Sequence, residues 1–577
     1  MRTNLFRATI LVAVSYLVQP SAAEAFSVTQ TIPDGYALAV APTTTQIEIE
    51  FDEVPVLAPQ SVRVAGVMSG LHEGTAVVVG NRIVYTVTSG PFFVGEMVRV
   101  NLHRNVSGAS TSDGLTGGYY FTFTVASGVA SANYADGIAY TASSIPYFIF
   151  GGDMDNDGTA DVCAPNEGTN DVSIFLNTGG LGEFNSRTDY GVGDKPSSVF
   201  GEDFNNDGWI DIASADIVSG TMSVLINDGD GTLGPKTTYA SGVVCRQVSG
   251  GDFDGDLDID LVTSARESDL IYIFYNDGHG VYTTSTAYSN ISDDPFTVRV
   301  EDFDRDGHAD IVVGSQNLDR VDILLGSGTG SFTNIGNFVA GNGPWDTSAN
   351  DLDGDGDCDL VVVNSFGNRI SVLRNDGTGA MTSISADLTD AFPLGVHTAD
   401  VDGDGDIDAI SANFSGGTAQ LFLNDGTGNL SLEQTLPVQE TGSYPWAHDL
   451  DADGDLDITC VDEFGDLLWV FYNGNSATET PDPSSTRTTH LDMYIGPNPV
   501  LAADGTSIRL RNSVGAVSGR IVGVDGSLVR VLAKNTDKVL HWDGQDNEGR
   551  DVAPGVYYVR VESASGQSAT GQIHIIG

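Results

Sequence analysis

The chain has 577 residues, 40% of them hydrophobic, and sets 79 acidic against 25 basic side chains for a formal net charge of −54. So acidic a surface repels phosphate backbones and excludes nucleic acid as a partner, while the hydrophobic fraction and the regular strand-like runs exclude a disordered acidic tail. The length leaves room for three or four domains.

Met1 to Ala25 reads as a secretory signal, residues 1–25. Arg2 and Arg7 form a basic start, Ala8 to Val18 an apolar core, and Ala23-Glu24-Ala25 an A-x-A cleavage site. The apolar core is too short to span a bilayer, and no later segment approaches that length. The mature protein is therefore expected outside the cell, secreted or at the surface, with no transmembrane segment. Residues 26–127 follow as short alternating strands such as "TTQIEIEFDE", "NRIVYTVTS" and "YYFTFTV". Alternation at this density, with no helical period, predicts a β-sandwich.

Between residues 128 and 476 an acidic nonapeptide of the form D-x-D-x-D-G-x-x-D recurs seven times, in steps of 49 or 50 residues. Around each copy the order is constant. A Pro opens a short strand seven residues before the first Asp in five units (Pro146, Pro196, Pro295, Pro344 and Pro393). After the acidic loop come an apolar run such as "DLVVV", then a strand ending in a turn such as Asn227-Asp228-Gly229 or Asn424-Asp425-Gly426, then a polar fourth strand. Asn-Asp-Gly is read as supplying the positive φ angles of a tight hairpin. Four strands in about 49 residues make one propeller blade, and seven blades fall within the known range. The last unit stops at "LLWVFYNGN" without a fourth strand, while an orphan strand at Ala132–Tyr140 precedes the first Pro. Completion of the last blade by that orphan is predicted, because β-proteins avoid a bare edge. Cys163, Cys245, Cys358 and Cys460 show no C-x-x-C pairing, which excludes a zinc ribbon and a disulfide-rich scaffold. Buried free thiols are expected, although Cys163 and Cys460 occupy equivalent strands of the first and last units and could pair across a closed ring.

Carboxylates at positions 1, 3, 5 and 9 converge only if the chain curls tightly, and Gly at position 6 allows the curl. The candidate ligand sets are Asp153, Asp155, Asp157 and Asp161; Asp203, Asn205, Asp207 and Asp211; Asp252, Asp254, Asp256 and Asp260; Asp302, Asp304, Asp306 and Asp310; Asp351, Asp353, Asp355 and Asp359; Asp400, Asp402, Asp404 and Asp408; and Asp449, Asp451, Asp453 and Asp457. Position 7 is expected to add a backbone carbonyl, from Thr159, Trp209, Asp258, His308, Asp357, Asp406 and Asp455. An all-oxygen set selects a hard cation, and high ligand number with flexible geometry favours Ca2+ over Mg2+. About seven Ca2+ ions follow, which would bring the net charge to about −40. An EF-hand or dockerin loop needs an acid at position 12, where this chain has Ala164, Ser214, Thr263, Val313, Val362, Ser411 and Cys460. None is acidic and the flanks are strand-like, so those loops are excluded. Asn205 in the second loop, and Leu257 where the third needs Gly, predict weaker sites. The apolar residue at position 2, from Met154 to Leu450, is expected to plug the core beneath the ion, so that metal loss loosens the blade.

These repeats resemble the FG-GAP, or VCBS, units of integrin α-subunits and bacterial surface proteins. The resemblance implies structural calcium on the lower face of a propeller, with ligands met by loops of the opposite face. It also implies that Trp345 and Trp446, which directly follow Pro344 and Pro445, lie near that upper rim as ligand-binding candidates, packing being the alternative role. The 26–127 segment resembles bacterial Ig-like domains, through "F-x-E" at Phe51 and the closing "YFTFTV". Residues 477–489 read as a polar, Pro-interrupted linker. Residues 490–577 are again short strands, with "GPNPV" at Gly496–Val500 and "WDGQDNEGRDVAPGVYYVRV" from Trp542. That pair is similar to the Ig-like modules of flagellar hook-capping proteins and of type IX secretion sorting domains, which implies outer-membrane secretion or attachment machinery as a partner. The ending "GQIHIIG" departs from the latter in lacking basic residues.

The expected fold is thus all-β, a seven-bladed calcium-binding propeller between two Ig-like sandwiches. No H-E-x-x-H, G-x-S-x-G or phosphate-binding G-x-x-x-x-G-K is present, and a glycosidic acid pair cannot be singled out among so many carboxylates. A non-enzymatic adhesion or binding protein for a carbohydrate or protein ligand is the leading expectation. A polysaccharide lyase or hydrolase on the same ring and a structural envelope component are the alternatives.

Overall fold

A computed structural model describes residues 26–474, apart from 131, 178–181, 185 and 186, together with the strands of a C-terminal segment between 492 and 576. The expected signal at 1–25 and linker at 477–489 lie outside the described residues. Among the described residues the fold is β throughout, with one 3-10 turn at Arg266–Ser268.

The repeats form seven four-stranded antiparallel sheets. Six run in chain order, from Phe150–Gly152, Asp161–Asn166, Asp171–Phe175 and Arg187–Gly191 to the sheet that ends at Leu430–Pro437. The seventh takes Gly442–His448, Asp457–Asp462 and Leu467–Phe471 from the end of the region and Ile138–Thr141 from before the first repeat. Ile138 lies opposite Val470 and Tyr140 opposite Leu468, so the orphan strand does complete the last sheet. First strands of successive units pack side by side, and that of the first unit meets that of the seventh. This is the arrangement of a β-propeller.

Patterning explains the layering. In every unit the second strand is buried at all six positions, from Asp161–Asn166 to Asp457–Asp462. Such a strand lies covered on both faces and reads as a continuous apolar run. The fourth strand, as at Phe332–Val339, alternates between half-buried and exposed residues and forms the outer edge. All four cysteines are buried and free, so Cys163 and Cys460 do not pair.

Ahead of the repeats, two sheets enclose one core built on Ile47, Ile49, Phe51, Val98, Val100, Phe121 and Phe123. The C-terminal segment also has two sheets, over a core that includes Ile521, Trp542, Val559 and Ile573. Its Tyr558 ring stands edge-on to Phe464 of the last repeat, centroids 5.4 Å apart.

Candidate metal centres

Each acidic loop joins the first strand of a sheet to the second, and its carboxylates are oriented by backbone N–H groups in the same way seven times. The position 1 carboxylate accepts from the position 6 N–H at 2.8–3.2 Å in every loop. The position 5 carboxylate accepts from the position 7 N–H at 2.9–3.2 Å. At position 9 one oxygen accepts from the position 2 N–H at 2.8–3.2 Å. Its other oxygen accepts from a backbone N–H sixteen residues further on, at 2.6–2.9 Å. Ionised carboxylates have about four acceptor sites each, so capacity remains for a cation.

The side chains converge accordingly. Candidate ligand oxygens lie within 4.8 Å of one another in Asp153/Asp155/Asp161, Asp252/Asp254/Asp260, Asp302/Asp304/Asp306, Asp351/Asp353/Asp355 and Asp400/Asp402/Asp404, and a sixth such group is present. Burial, then the neighbouring loop carboxylates, lifts Asp161, Asp211, Asp359 and Asp408 to about 8, and Asp310 and Asp457 to about 9, against the counter-effect of their N–H donors. Asp260 is raised well above the ordinary value for the same reasons. Carboxylates held this close at neutral pH call for protons or for a cation. A buried oxygen of Asp449, at position 1 of the seventh loop, has no hydrogen-bond donor among the described residues, which fits a set whose remaining valence belongs to a metal. The donor set is all oxygen and suits a hard divalent ion.

A family model described as FG-GAP-like repeat matches residues 153–214, 203–263, 252–313, 351–411 and 400–459. All seven nonapeptides fall inside these five spans. These are FG-GAP-like repeats. None of the curated proteins compared matches the sequence. Among solved structures, BBS1N in complex with ARL6DN is 13% identical, with 60% of this chain and 99% of that one covered at a TM-score of 0.45. A putative 6-phosphogluconolactonase from Bacteroides uniformis is 16% identical, covering 59% and 92%, at 0.41. PorZ, a surface component of the type IX secretion system of Porphyromonas gingivalis, is 13% identical, covering 93% and 74%, at 0.37. TM-scores this low carry no functional weight.

Within the FG-GAP-like repeats, Leu257 departs from the glycine pattern without breaking the turn. Its backbone takes φ +75°, where the equivalent glycines take +84° to +97°, and its N–H still reaches Asp252 at 2.9 Å. Asn205 turns its amide to Asp207 at 2.8 Å, spending a donor inside the loop.

The Asn-Asp-Gly turns do more than the sequence suggests. Only the Gly has positive φ, as at Gly229, +86°. The Asn instead links neighbouring repeats. Asn276 Nδ2 donates to Phe204 O at 2.7 Å, Asn375 to Phe303 O at 2.7 Å and Asn424 to Leu352 O at 2.7 Å, each acceptor being the position 2 residue of the preceding repeat's loop. Asn177 closes the circle by donating to Leu450 O at 2.8 Å. In the fourth repeat Gly326 takes this place, and Gly330 N–H supplies the bond to Phe253 O at 2.8 Å. A 72- or 73-residue spacing between Asn and acceptor was the available signal, and it is meaningful only once adjacent repeats are known to touch.

Trp345 sits at one mouth of the central channel. Its Nε1 donates to Tyr147 O–H at 2.7 Å, its ring meets Phe296 and Phe392, and the Arg246 guanidinium lies 5.6 Å from the ring centroid. Trp446 does not join it at the rim. It stacks on His397 at 4.4 Å inside the channel, beside a cavity of about 160 Å³ lined by Phe150, Phe200, Ser249, Arg299, Ser348, His397 and Trp446, one residue from each first strand. The reason is register: Pro344 precedes its first Asp by seven residues, whereas Pro445 precedes Asp449 by four.

The acidic-loop face is covered. Met68 O accepts from Asp153 N–H at 2.8 Å, Arg63 reaches Asp203 O at 3.2 Å, and Arg104 reaches Asp254 O at 2.6 Å. The Tyr36 hydroxyl both donates to Asp302 O at 2.8 Å and accepts from Asp302 N–H at 3.1 Å, while Tyr120 N–H meets Gly307 O at 2.6 Å. The connecting segment adds Ser127 to Asp400 O at 2.7 Å and Gly128 N–H to Gly454 O at 2.6 Å. At the channel's lower mouth Glu202 takes Arg63 at 3.2 Å and Arg99 at 3.0 Å, both largely buried.

Proposed function

We propose that this is an exported, calcium-stiffened seven-bladed β-propeller between two Ig-like modules, which binds a carbohydrate or protein ligand outside the cell and catalyses no reaction on it. Calcium is structural: Asp153, Asp203, Asp252, Asp302, Asp351, Asp400 and Asp449, with their loop partners, hold about seven ions. The C-terminal module serves sorting or attachment at the cell surface.

The observation that carries the ligand face is the coverage of the other one. With the domain at 26–127 lying across the acidic loops, the opposite face, which the C-terminal module meets at Phe464, offers the remaining surface for a partner. That face carries touching, partly exposed rings, Trp345 to Phe392 at 5.4 Å and Phe392 to Phe414 at 6.3 Å, seated on the buried Phe296 at 4.6 Å from Trp345, with Phe366 half exposed beside Phe392. Val218 and Leu318 are exposed on the equivalent turns of other repeats. Contiguous apolar surface of this kind marks an interaction site, and aromatic anchors dominate such sites.

The test is retention of the full chain on a glycan array and on extracellular-matrix protein spots in millimolar calcium. Retention that falls at least tenfold in both Phe366→Ala and Trp345→Ala is expected. Retention indifferent to both substitutions, or depolymerisation of the retained glycan with turnover, would contradict the proposal.

A further inference from the structure

We propose that the acidic loops act together as an ion-shaped docking surface for the domain at 26–127, so that calcium binding and the seating of that domain are energetically coupled. The inference rests on the calcium reading above and goes beyond it: the ions hold two domains together as well as stiffening each repeat.

The argument starts from which atoms make the interface. Hydrogen bonds from residues 36–130 reach six of the seven loops, and almost all of them meet loop backbone: the N–H of Asp153 and the carbonyls of Asp203, Asp254, Gly255, Asp302, Gly307, Asp400, Asp402 and Gly454. These peptide groups belong to positions 1, 3, 4 and 6, the stretch whose curl brings the carboxylates to one point. Ion and domain therefore depend on the same stretch of backbone. Carboxylates held this close repel one another strongly when no cation lies between them. With the cation gone, that repulsion acts on the curl, and the carbonyls aimed at Tyr36, Arg63 and Arg104 lose their positions. Close approach leaves no slack: a Cβ on Gly255 would fall 2.3 Å from Gly117 O of the docked domain. The domain also brings Arg63, Arg99 and Arg104 to this face, a charge complement suited to an acidic ring. Linkage is reciprocal, so a docked domain raises calcium affinity by the factor by which calcium favours docking.

Tyr36 is the most economical probe, because its hydroxyl bridges both backbone atoms of Asp302, and Tyr36→Phe removes only that bridge. Calcium titration of the full chain by calorimetry is expected to show roughly fivefold weaker binding in Tyr36→Phe combined with Arg104→Ala, and a smaller loss in Tyr36→Phe alone. In the unmodified chain, hydrogen exchange with and without chelator is expected to show deprotection of Arg104 and Tyr120, whose N–H groups bond Gly255 O and Gly307 O across the interface, while the strand Gln46–Phe51 stays protected. That pattern distinguishes undocking from unfolding. Unchanged calcium affinity in both variants overturns the coupling and leaves the calcium reading standing. Deprotection of both regions together likewise overturns it. Failure of the unmodified chain to bind calcium overturns the calcium reading and the coupling with it.

Discussion

Replacing Asn424 by Ala tests whether neighbouring repeats are held by a buried side-chain link. Asn424 is 7% exposed. Its Nδ2 donates to Leu352 O at 2.7 Å and to Ile407 O at 3.0 Å, and its Oδ1 accepts from Gly428 N–H at 3.0 Å. The backbone N–H bond to Asp408 at 2.8 Å survives the substitution. Three bonds are lost, with two carbonyls and one N–H left buried, so at about 1 kcal/mol per bond the expected loss is about 3 kcal/mol. For a cooperative unit the size of the repeat region, that corresponds to a fall of about 4 °C in the thermal transition. Asn424→Asp should cost more, because it turns a carboxylate oxygen toward two carbonyls. Asn429→Ala is the control: its amide bonds Asp425 and Thr427 in an exposed turn, and its expected effect is below about 0.5 kcal/mol. The assay is calorimetric or circular-dichroism melting in millimolar calcium. A transition in Asn424→Ala no lower than in Asn429→Ala would refute the reasoning.

Burial lifts the Glu96 carboxyl from 4.5 to about 7, even though Met68, Ser69 and Phe93 donate to it. A raised carboxyl contributes stability that is full below pH about 4.5 and is lost as pH rises through about 7, so unmodified protein should lose up to about 3 kcal/mol more than Glu96→Gln between pH 4.5 and 8. Urea midpoints of the two proteins that move in parallel over that window would remove Glu96 as the source. Gly158 has φ +90° with open space where a Cβ would go, so Gly158→Ala should cost only the backbone term, about 1 kcal/mol. Gly255→Ala, with the Gly117 carbonyl in its way, should cost distinctly more. Equal melting losses for the two alanines would show that the domain contact over the third loop is absent in solution.

The repeated four-stranded sheets, the convergence of the loop carboxylates and the closing strand were legible because each is periodic: the same nonapeptide at a near-constant step, and a fourth strand missing at one end and spare at the other. The Asn links were hidden by the same periodicity, since Asn-Asp-Gly has a local role in its own turn and its acceptor lies one repeat away. Trp446 was misplaced because a Pro was taken as the marker of a rim, and the Pro of the seventh unit stands three residues further along the strand than the others. Coverage of the acidic face had little sequence signal. Met68 contributes a carbonyl, Gly117 and Gly128 contribute bare backbone, and only Arg63, Arg99 and Arg104 hinted at an acidic neighbour. The aromatic run from Phe296 to Phe414 was scattered across three repeats and came together only when the ring brought those turns side by side.

Calcium stoichiometry tests the central claim most directly. Equilibrium dialysis of the full chain at about 5 mM calcium, well above the affinity range of extracellular calcium modules, should find about seven ions per chain, with the Asn205 and Leu257 loops the last to fill. A folded chain that takes up no calcium under those conditions would contradict the account.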